Sequence, residues 1–223
     1  MAIFRLDLVL GDLPFLLLGV PLTLGITVAA YLAGTLLGLP IALIRLARVP
    51  LLNPLVVAWV EFFRTTPPLV HIVWGYYVLP IALGVTFSAF SVVSGALAFG
   101  TSAVMGEIFR GGIQSIPSGQ WAAARVLGLS GWQRLWWVIL PQTLRVILPP
   151  SCNTLVSLLK QSSLAAVIAV PEIMNRGQVL SANNFRPLEV LTLVAIVYFV
   201  LTYPLVLLVA ALERRSQSAF RVD

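Results

Sequence analysis

Long apolar runs punctuated by arginine and proline dominate this chain. The first, over 13–44, holds no charge in about thirty residues, against the roughly 18–20 that carry a helix across a bilayer. It predicts a first span over about 14–44, in which Gly19, Gly25, Gly34 and Gly38 permit close helix approach. The run is too long for a signal-peptide core and ends in no small-residue cleavage site, so it reads as a retained helix. Arg45 and Arg48 close it, and Pro50 and Pro54 mark a turn. A second span over about 55–78 is interrupted by "EFFRTTPP", where Pro67 and Pro68 remove two backbone donors and force a kink or break. After the loop "LPIALGVTFSAF" comes a third span over about 91–108. A fourth starts near Gly131 and is kinked by Pro141, Pro149 and Pro150. Residues 161–187 are mixed in character and predict a re-entrant or interfacial piece. The last span covers about 188–212, ahead of the tail "ERRSQSAFRVD".

The pattern predicts an all-α membrane protein with about five transmembrane helices. A β-barrel does not fit, because the runs are continuously apolar and do not alternate. Composition agrees: 59% of residues are hydrophobic and 10% charged, where a soluble domain carries roughly a quarter charged. The net charge of +6 would suit nucleic acid, but in a membrane chain excess arginine marks cytoplasmic loops. Arg45, Arg48, Arg110, Arg125, Arg134, Arg214, Arg215 and Arg221 gather at one set of helix ends. The other set has Arg5, Arg176 and Arg186, offset by Asp7, Asp12 and Glu189. This bias places the N-terminus outside and the C-terminus in the cytoplasm. It divides the chain into an external segment (1–13), a transmembrane domain (14–212) and a cytoplasmic tail (213–223). Cys152 and His71 are each the sole residue of their type, which leaves no disulfide and no metal cluster. His71 reads as a packing or pathway residue.

Between the third and fourth spans lies "GQWAAARVLGLSGWQRLWWVILP", residues 119–141. Ser118 can cap a short helix over 119–127, and Gly128 suits the left-handed residue that ends it. "SGWQ" at 130–133 is a capping box. Trp132, Trp136 and Trp137 mark re-entry into the bilayer. The orientation puts this helix in the cytoplasm, where its apolar Trp121, Ala122, Ala124 and Val126 need a partner surface, since so short a helix is marginal alone in water.

The segment "EIFRGGIQSIPSGQWAAARVLGLSGWQRLWWVILPQTLRVILPP" resembles the EAA loop of type I ATP-binding-cassette importer permeases. The flanking "FRGGIQSIPSGQW" and "LPQ", with "EFFRTTPPLV" and "LLKQSSLAAVIAVPEI", resemble the branch that serves polar amino acids. The resemblance covers nearly the whole chain. It implies the type I importer fold and a coupling helix, within a loop at about 111–131, that docks in a cleft of a separate ATPase. Gln120, Trp121, Ala122, Ala123, Ala124, Arg125 and Gly128 are the implied coupling residues. Ala123 and Ala124 match the two alanines of the pattern, Gly128 its glycine, and Val138, Ile139, Leu140 and Pro141 its Ile-x-Leu-Pro end. The glutamate position is Ala122, a departure that weakens the expected docking contact or leaves it to a second, related permease. Thr65 stands where glycine is usual, and Gln161 where an acidic residue is common. The implied partners are ATPase subunits, a second permease copy (identical or related), an external solute-binding protein and membrane lipid, with no nucleic acid. No phosphate-loop motif occurs in the chain. It is therefore expected to be no enzyme and to hold no cofactor, with ATP and Mg on the partner ATPase in the bacterial inner membrane.

Ionisable residues at membrane depth are costly and point to function. Glu61 and Arg64, three apart on one helix face, are spaced so that they could pair with each other. Lys160 is the only lysine and has no acidic neighbour in sequence. With the freed backbone near Thr65 and Thr66, and with Gln161 and Ser162, these form the candidate substrate pathway. Glu107 and Arg110 read as structural, at the cytoplasmic interface. The three pathway charges sum to one positive charge, which disfavours a cationic substrate. The expected function is the permease subunit of an ATP-driven importer of a polar amino acid, leaning acidic or amide. The alternatives are a non-transporting membrane anchor or assembly subunit, an ion-coupled carrier, or an importer permease for another small polar solute such as an opine or a basic amino acid.

Overall fold

The computed structural model describes residues 5–218, and no strand occurs among them. Two single turns of 3-10 helix, Leu6–Leu8 and Leu10–Asp12, lead into α1 (Leu13–Leu17) and α2 (Val20–Ala47). The first span therefore takes in Arg45 and ends at Arg48, whose left-handed backbone (φ 51°) returns its N–H to the Ile44 carbonyl. Next come α3 (Leu52–Thr65) and α4 (Pro68–Tyr77). The expected break is there, and its cause is local. A proline pushes the residue before it out of the helical region. Thr66 and Pro67 each precede a proline, and both are extended, with ψ of 132° and 136°.

The loop expected after the second span contains a short helix, α5 (Leu79–Leu83), ended by Gly84 at φ 66°. The third span is longer than the apolar run suggested: α6 covers Ala89–Gln114, and the Ser88 hydroxyl caps it by accepting from the Ser91 N–H at 3.1 Å. Polar and small residues past 108 continue the helix into the aqueous boundary. Then follow α7 (Ser118–Val126), the single turn α8 (Gly131–Gln133), a π-helix over Arg134–Ile139, and α9 (Leu140–Gln161). The mixed segment resolves into a 3-10 helix, Ser162–Ile168, and α10 (Ile173–Asn184), before α11 (Pro187–Ser218).

Among the described residues, three helical stretches are each long and apolar enough to cross a bilayer: Leu10–Ala47, Ala89–Gln114 and Pro187–Arg214. Gly131–Ile168 with Ile173–Asn184 passes the same test as a pair bent by 48°, a broken span or re-entrant loop. Neither α3 nor α4 is long enough to cross alone.

The centre of the fold is the α2–α6 contact, made by small residues. A Cβ on Gly34 would fall 2.5 Å from Thr101, and one on Gly38 2.8 Å from Met105. From the other side, a Cβ on Gly106 would collide with Ile41. Association in lipid depends on such close approach, because apolar surface gains little by leaving the bilayer. Gly19 serves a different contact, since a Cβ placed there would fall within 2.5–2.8 Å of the backbone of Glu172 and Ile173. Gly25 would meet only Phe90, at 3.6 Å, so it is not needed for packing. Around this seam Ile26, Ala30, Ile72, Val93, Leu97 and Leu158 form the main buried cluster.

Candidate functional site

The coupling segment is built by local rules. Its helix starts one residue earlier than expected and has no side-chain cap. Pro117 takes the cap position at φ −54°, ψ 139°, and Ser118 is the first helical residue. The proline's fixed φ and its extended ψ launch the helix, so the Ser118 hydroxyl has no cap to make. Gly128 is left-handed at φ 71°, as expected. The capping box is complete, with the Gln133 N–H donating to Ser130 Oγ at 3.3 Å and the Ser130 N–H to Gln133 Oε1 at 2.9 Å.

The four apolar positions of α7 divide between two uses. Ala124 is buried and Trp121 half-buried against the chain itself, beside Ile116 and Leu135. Ala122, Ala123, Arg125, Val126 and Leu127 are exposed, Val126 and Leu127 by 87% and 76%. Gln120 is exposed too, and its side-chain oxygen accepts from Gln142 Nε2 at 3.3 Å. The open apolar surface of the coupling loop is therefore the edge from Ala122 to Leu127.

The pathway residues separate as well. A cavity of about 400 Å³ is lined by Phe63, Arg64, Thr66, Pro68, His71, Ala96, Leu97, Gly100, Thr101, Val104, Asn153, Thr154, Ser157, Leu158 and Gln161. Of the candidate pathway residues, Arg64, Thr66 and Gln161 line this cavity. Glu61, Thr65, Lys160 and Ser162 do not line it. The Thr65 hydroxyl bonds back to the Glu61 carbonyl at 2.8 Å, and Ser162 is buried with its hydroxyl on the Leu159 carbonyl at 2.7 Å. Glu61 and Lys160 are exposed. A Glu61–Arg64 pair is absent among the described residues: no ion pair joins them. Three-residue spacing allows such a pair but does not compel it. Here Arg64 turns to the cavity with Phe63, while Glu61 stays outside.

Sequence reasoning left out several cavity residues. Asn153, Thr154 and Ser157 are polar positions of α9, a helix that also carries Gln142, Thr143, Arg145, Ser151, Lys160 and Gln161, so polarity alone does not single them out. His71 packs on Phe62 and Phe63, with ring centroids at 5.4 and 4.7 Å, and its Nε2 is buried without a partner. An unsatisfied buried nitrogen on a cavity wall is a free site for a bound polar group.

Glu107 is structural, as expected. Its carboxylate takes Arg45 Nη1 at 2.6 Å on one oxygen and Arg110 Nη2 at 2.6 Å on the other, tying the end of α2 to α6. Glu172, one charge within the mixed segment 161–187, is the carboxylate that organises the opposite side. It is fully buried and caps α10, accepting from the Met174 and Asn175 N–H groups at 2.9 and 2.8 Å. The Tyr198 hydroxyl donates to it at 2.6 Å and Thr23 at 3.5 Å. One side chain thus joins α2, α10 and α11. No group of three or more metal-ligating side chains occurs among the described residues.

Residues 30–218 match the family described as "Binding-protein-dependent transport system inner membrane component". The chain is 36% identical over 197 residues to the "Probable amino-acid ABC transporter permease protein YckA" of Bacillus subtilis (strain 168), covering 88% of this chain and 87% of that protein. It is 34% identical over 206 residues to the "Glutamine transport system permease protein GlnP" of Escherichia coli (strain K12), covering 92% and 94%. Among solved structures, the "Crystal structure of an amino acid ABC transporter with histidines" superposes with a TM-score of 0.88 at 32% identity, covering 96% of this chain and all of that one. The chain belongs to the binding-protein-dependent transport system inner membrane component family and, within it, to the amino-acid ABC transporter permeases.

Proposed function

We propose that this permease forms half of the translocation pathway of an ATP-driven importer for an acidic or amide amino acid, and that the cavity beside Arg64 is part of that pathway. One observation carries the substrate class. The lining holds one guanidinium, one imidazole, and the neutral donors and acceptors of Thr66, Thr101, Asn153, Thr154, Ser157 and Gln161, with no carboxylate. Arg64 suits the α-carboxylate, which guanidinium recognises through two parallel hydrogen bonds. The amides and hydroxyls suit an amide or carboxylate side chain, and a cationic side chain would meet Arg64 without a counter-charge. The charge argument now rests on Arg64 alone, since Glu61 and Lys160 lie outside the cavity. The name of the relative GlnP agrees with this class.

In this reading the N-terminus is external and α7 cytoplasmic. The exposed edge Ala122–Leu127, with Gly128, docks on a separate ATPase that holds ATP and Mg, while the Gln120 side chain is turned to Gln142 of α9. A second permease copy completes the pathway, and an external binding protein delivers the substrate. The test is uptake by the whole complex in proteoliposomes, comparing glutamate, glutamine, histidine and arginine for wild type and Arg64→Met. Glutamate or glutamine should be carried at least about tenfold better than arginine, the factor that corresponds to about 1.4 kcal/mol. Arg64→Met should remove most of that preference. Strong arginine uptake unchanged by Arg64→Met would overturn the substrate assignment.

A further inference from the structure

We propose that Gln142 is a positioning residue that relays movement of the coupling helix α7 into the cavity-lining face of α9. This rests on the coupling role proposed above. The Gln142 amide donates to Gln120 Oε1 on α7 at 3.3 Å and to the Val138 backbone carbonyl at 2.8 Å. A side-chain amide carries two N–H donors, so both bonds form at once.

The need for such a tie comes from what lies between. The chain from α7 to α9 passes through the π-helix over Arg134–Ile139. Its origin is Pro141, which has no N–H to offer the carbonyl of Trp137 four residues back. The register widens, and the Leu140 N–H reaches five residues back to the Leu135 carbonyl. A π segment is a rare, poorly bonded register that recurs at functional sites. A push on α7 transmitted only through this segment would be taken up by a change of its pitch. The Gln142 side chain bypasses it, fastening α7 and the Val138 carbonyl directly to the start of α9.

The output end lies on the same helix face. Pro149 and Pro150 lie between Gln142 and the cavity residues Asn153 and Ser157, within the one continuous helix α9. Counted at 3.6 residues per turn of that helix, Asn153 and Ser157 fall within about 60° of Gln142, and Asn153 is about 16 Å along the axis. Both line the cavity. Rotation of α9 at Gln142 therefore turns Asn153 and Ser157 in or out of the cavity wall.

The test needs no knowledge of the substrate. The complete complex of permease, ATPase and binding protein is placed in nanodiscs, with Cys152→Ser and a reporter Asn153→Cys. The rate of thiol labelling at position 153 is measured with and without ATP plus vanadate, in this parent and with Gln142→Met, Gln120→Met or both. The parent should show a clear nucleotide-driven change in labelling. Gln142→Met and Gln120→Met should each shrink that change about threefold, the worth of one modest hydrogen bond. The double variant should lose no more than the Gln142→Met single, because both act on one contact. The thermal midpoint and ATPase co-purification of Gln142→Met should match the parent, which a merely structural role would not predict. A full nucleotide response in Gln142→Met, or losses that multiply in the double variant, overturns the relay. A parent with no nucleotide response at all overturns the coupling role itself and the relay with it.

Discussion

The Glu172 junction and the coupling loop are both places where a helix begins, and they treat their polar and apolar groups in opposite ways. At the junction every strong group is consumed inside the chain. The carboxylate caps α10 and takes the hydroxyls of Tyr198 and Thr23 with no exposure, and the backbone of Glu172 packs against Gly19. At the coupling loop the helix closes its own ends with Pro117 and Gly128 and buries only Ala124 fully, leaving Val126 and Leu127 bare. A region that uses up its groups internally is a joint. A region that satisfies its backbone yet keeps an apolar edge open is built to be covered by something else.

The largest effect should come from breaking the joint. Glu172→Ala leaves two helix N-terminal donors and the Tyr198 hydroxyl without this acceptor in a buried setting, while Thr23 keeps the Gly19 carbonyl, at a cost of about 3–5 kcal/mol. In detergent that corresponds to a fall of roughly 6–20 °C in thermal midpoint for a chain of this size. Tyr198→Phe removes one charge-assisted bond and should cost about 1.5–3 kcal/mol. Midpoints within about 1 °C of wild type for both variants would show that the junction is not a joint.

The next effect tests the coupling loop from its hinge. Gly128→Val forces a β-branched side chain into the left-handed region, at about 1–2 kcal/mol. Nothing lies within 4 Å of a Cβ placed there, so the cost is in the backbone alone. The strain should appear as a reoriented α7, with normal membrane insertion and loss of substrate-stimulated ATP hydrolysis. Full stimulation in this variant would break the contrast, since the loop would then tolerate any geometry.

How far these regions were legible in sequence follows the same division. Gly128, the "SGWQ" box and the Thr66–Pro67 break depend on residues within four positions of each other, and each is where local rules put it. The Ser118 cap failed because Pro117, with its fixed φ and extended ψ, takes the cap position and makes Ser118 the first helical residue. The π-helix went unread because a proline's missing donor can be answered by a kink or by a wider register, and only the surrounding packing selects between them. The Glu61–Arg64 pair failed for a tertiary reason: the cavity on the far side of Phe63 claims Arg64. Glu172 was beyond local reading altogether. Its partners Thr23 and Tyr198 lie 149 and 26 residues away, and in sequence it looked like one more charge in a mixed segment. Of the seven candidate pathway residues, Arg64, Thr66 and Gln161 line the cavity and the other four do not, because polar positions on apolar helices are visible in sequence while the direction each faces is not.

A smaller effect on stability, with a large one on assembly, should come from the open edge. Val126→Asp and Leu127→Asp replace exposed side chains that touch little of this chain, so the permease alone should change by no more than about 0.5 kcal/mol. ATPase co-purification should fall at least about tenfold, because an unpaired carboxylate would be desolvated where an apolar contact had been. Co-purification at wild-type levels would mean that this edge faces lipid or water instead of the ATPase.

The smallest change expected is Ala122→Glu, which restores the carboxylate of the family pattern. Ala122 is exposed and sits in the middle of α7, one turn before Arg125. Arg125 has only a 3.4 Å bond from its Nε to the Trp121 carbonyl, so its guanidinium remains available to a glutamate three residues earlier. That pair would add roughly 0.2–0.5 kcal/mol in solution and less at high salt. The thermal midpoint should therefore move by less than about 2 °C, and the complex should assemble in normal yield. Basal ATP hydrolysis should change, because a charge is added in the middle of the edge proposed to meet the ATPase. Comparison with Ala122→Gln separates the two contributions: it keeps the length of the side chain and removes the charge, so it should leave basal hydrolysis at the wild-type rate. If Ala122→Glu instead abolishes assembly, alanine is required at this position to let the partner surface come close, and the edge is packed as tightly as the α2–α6 seam.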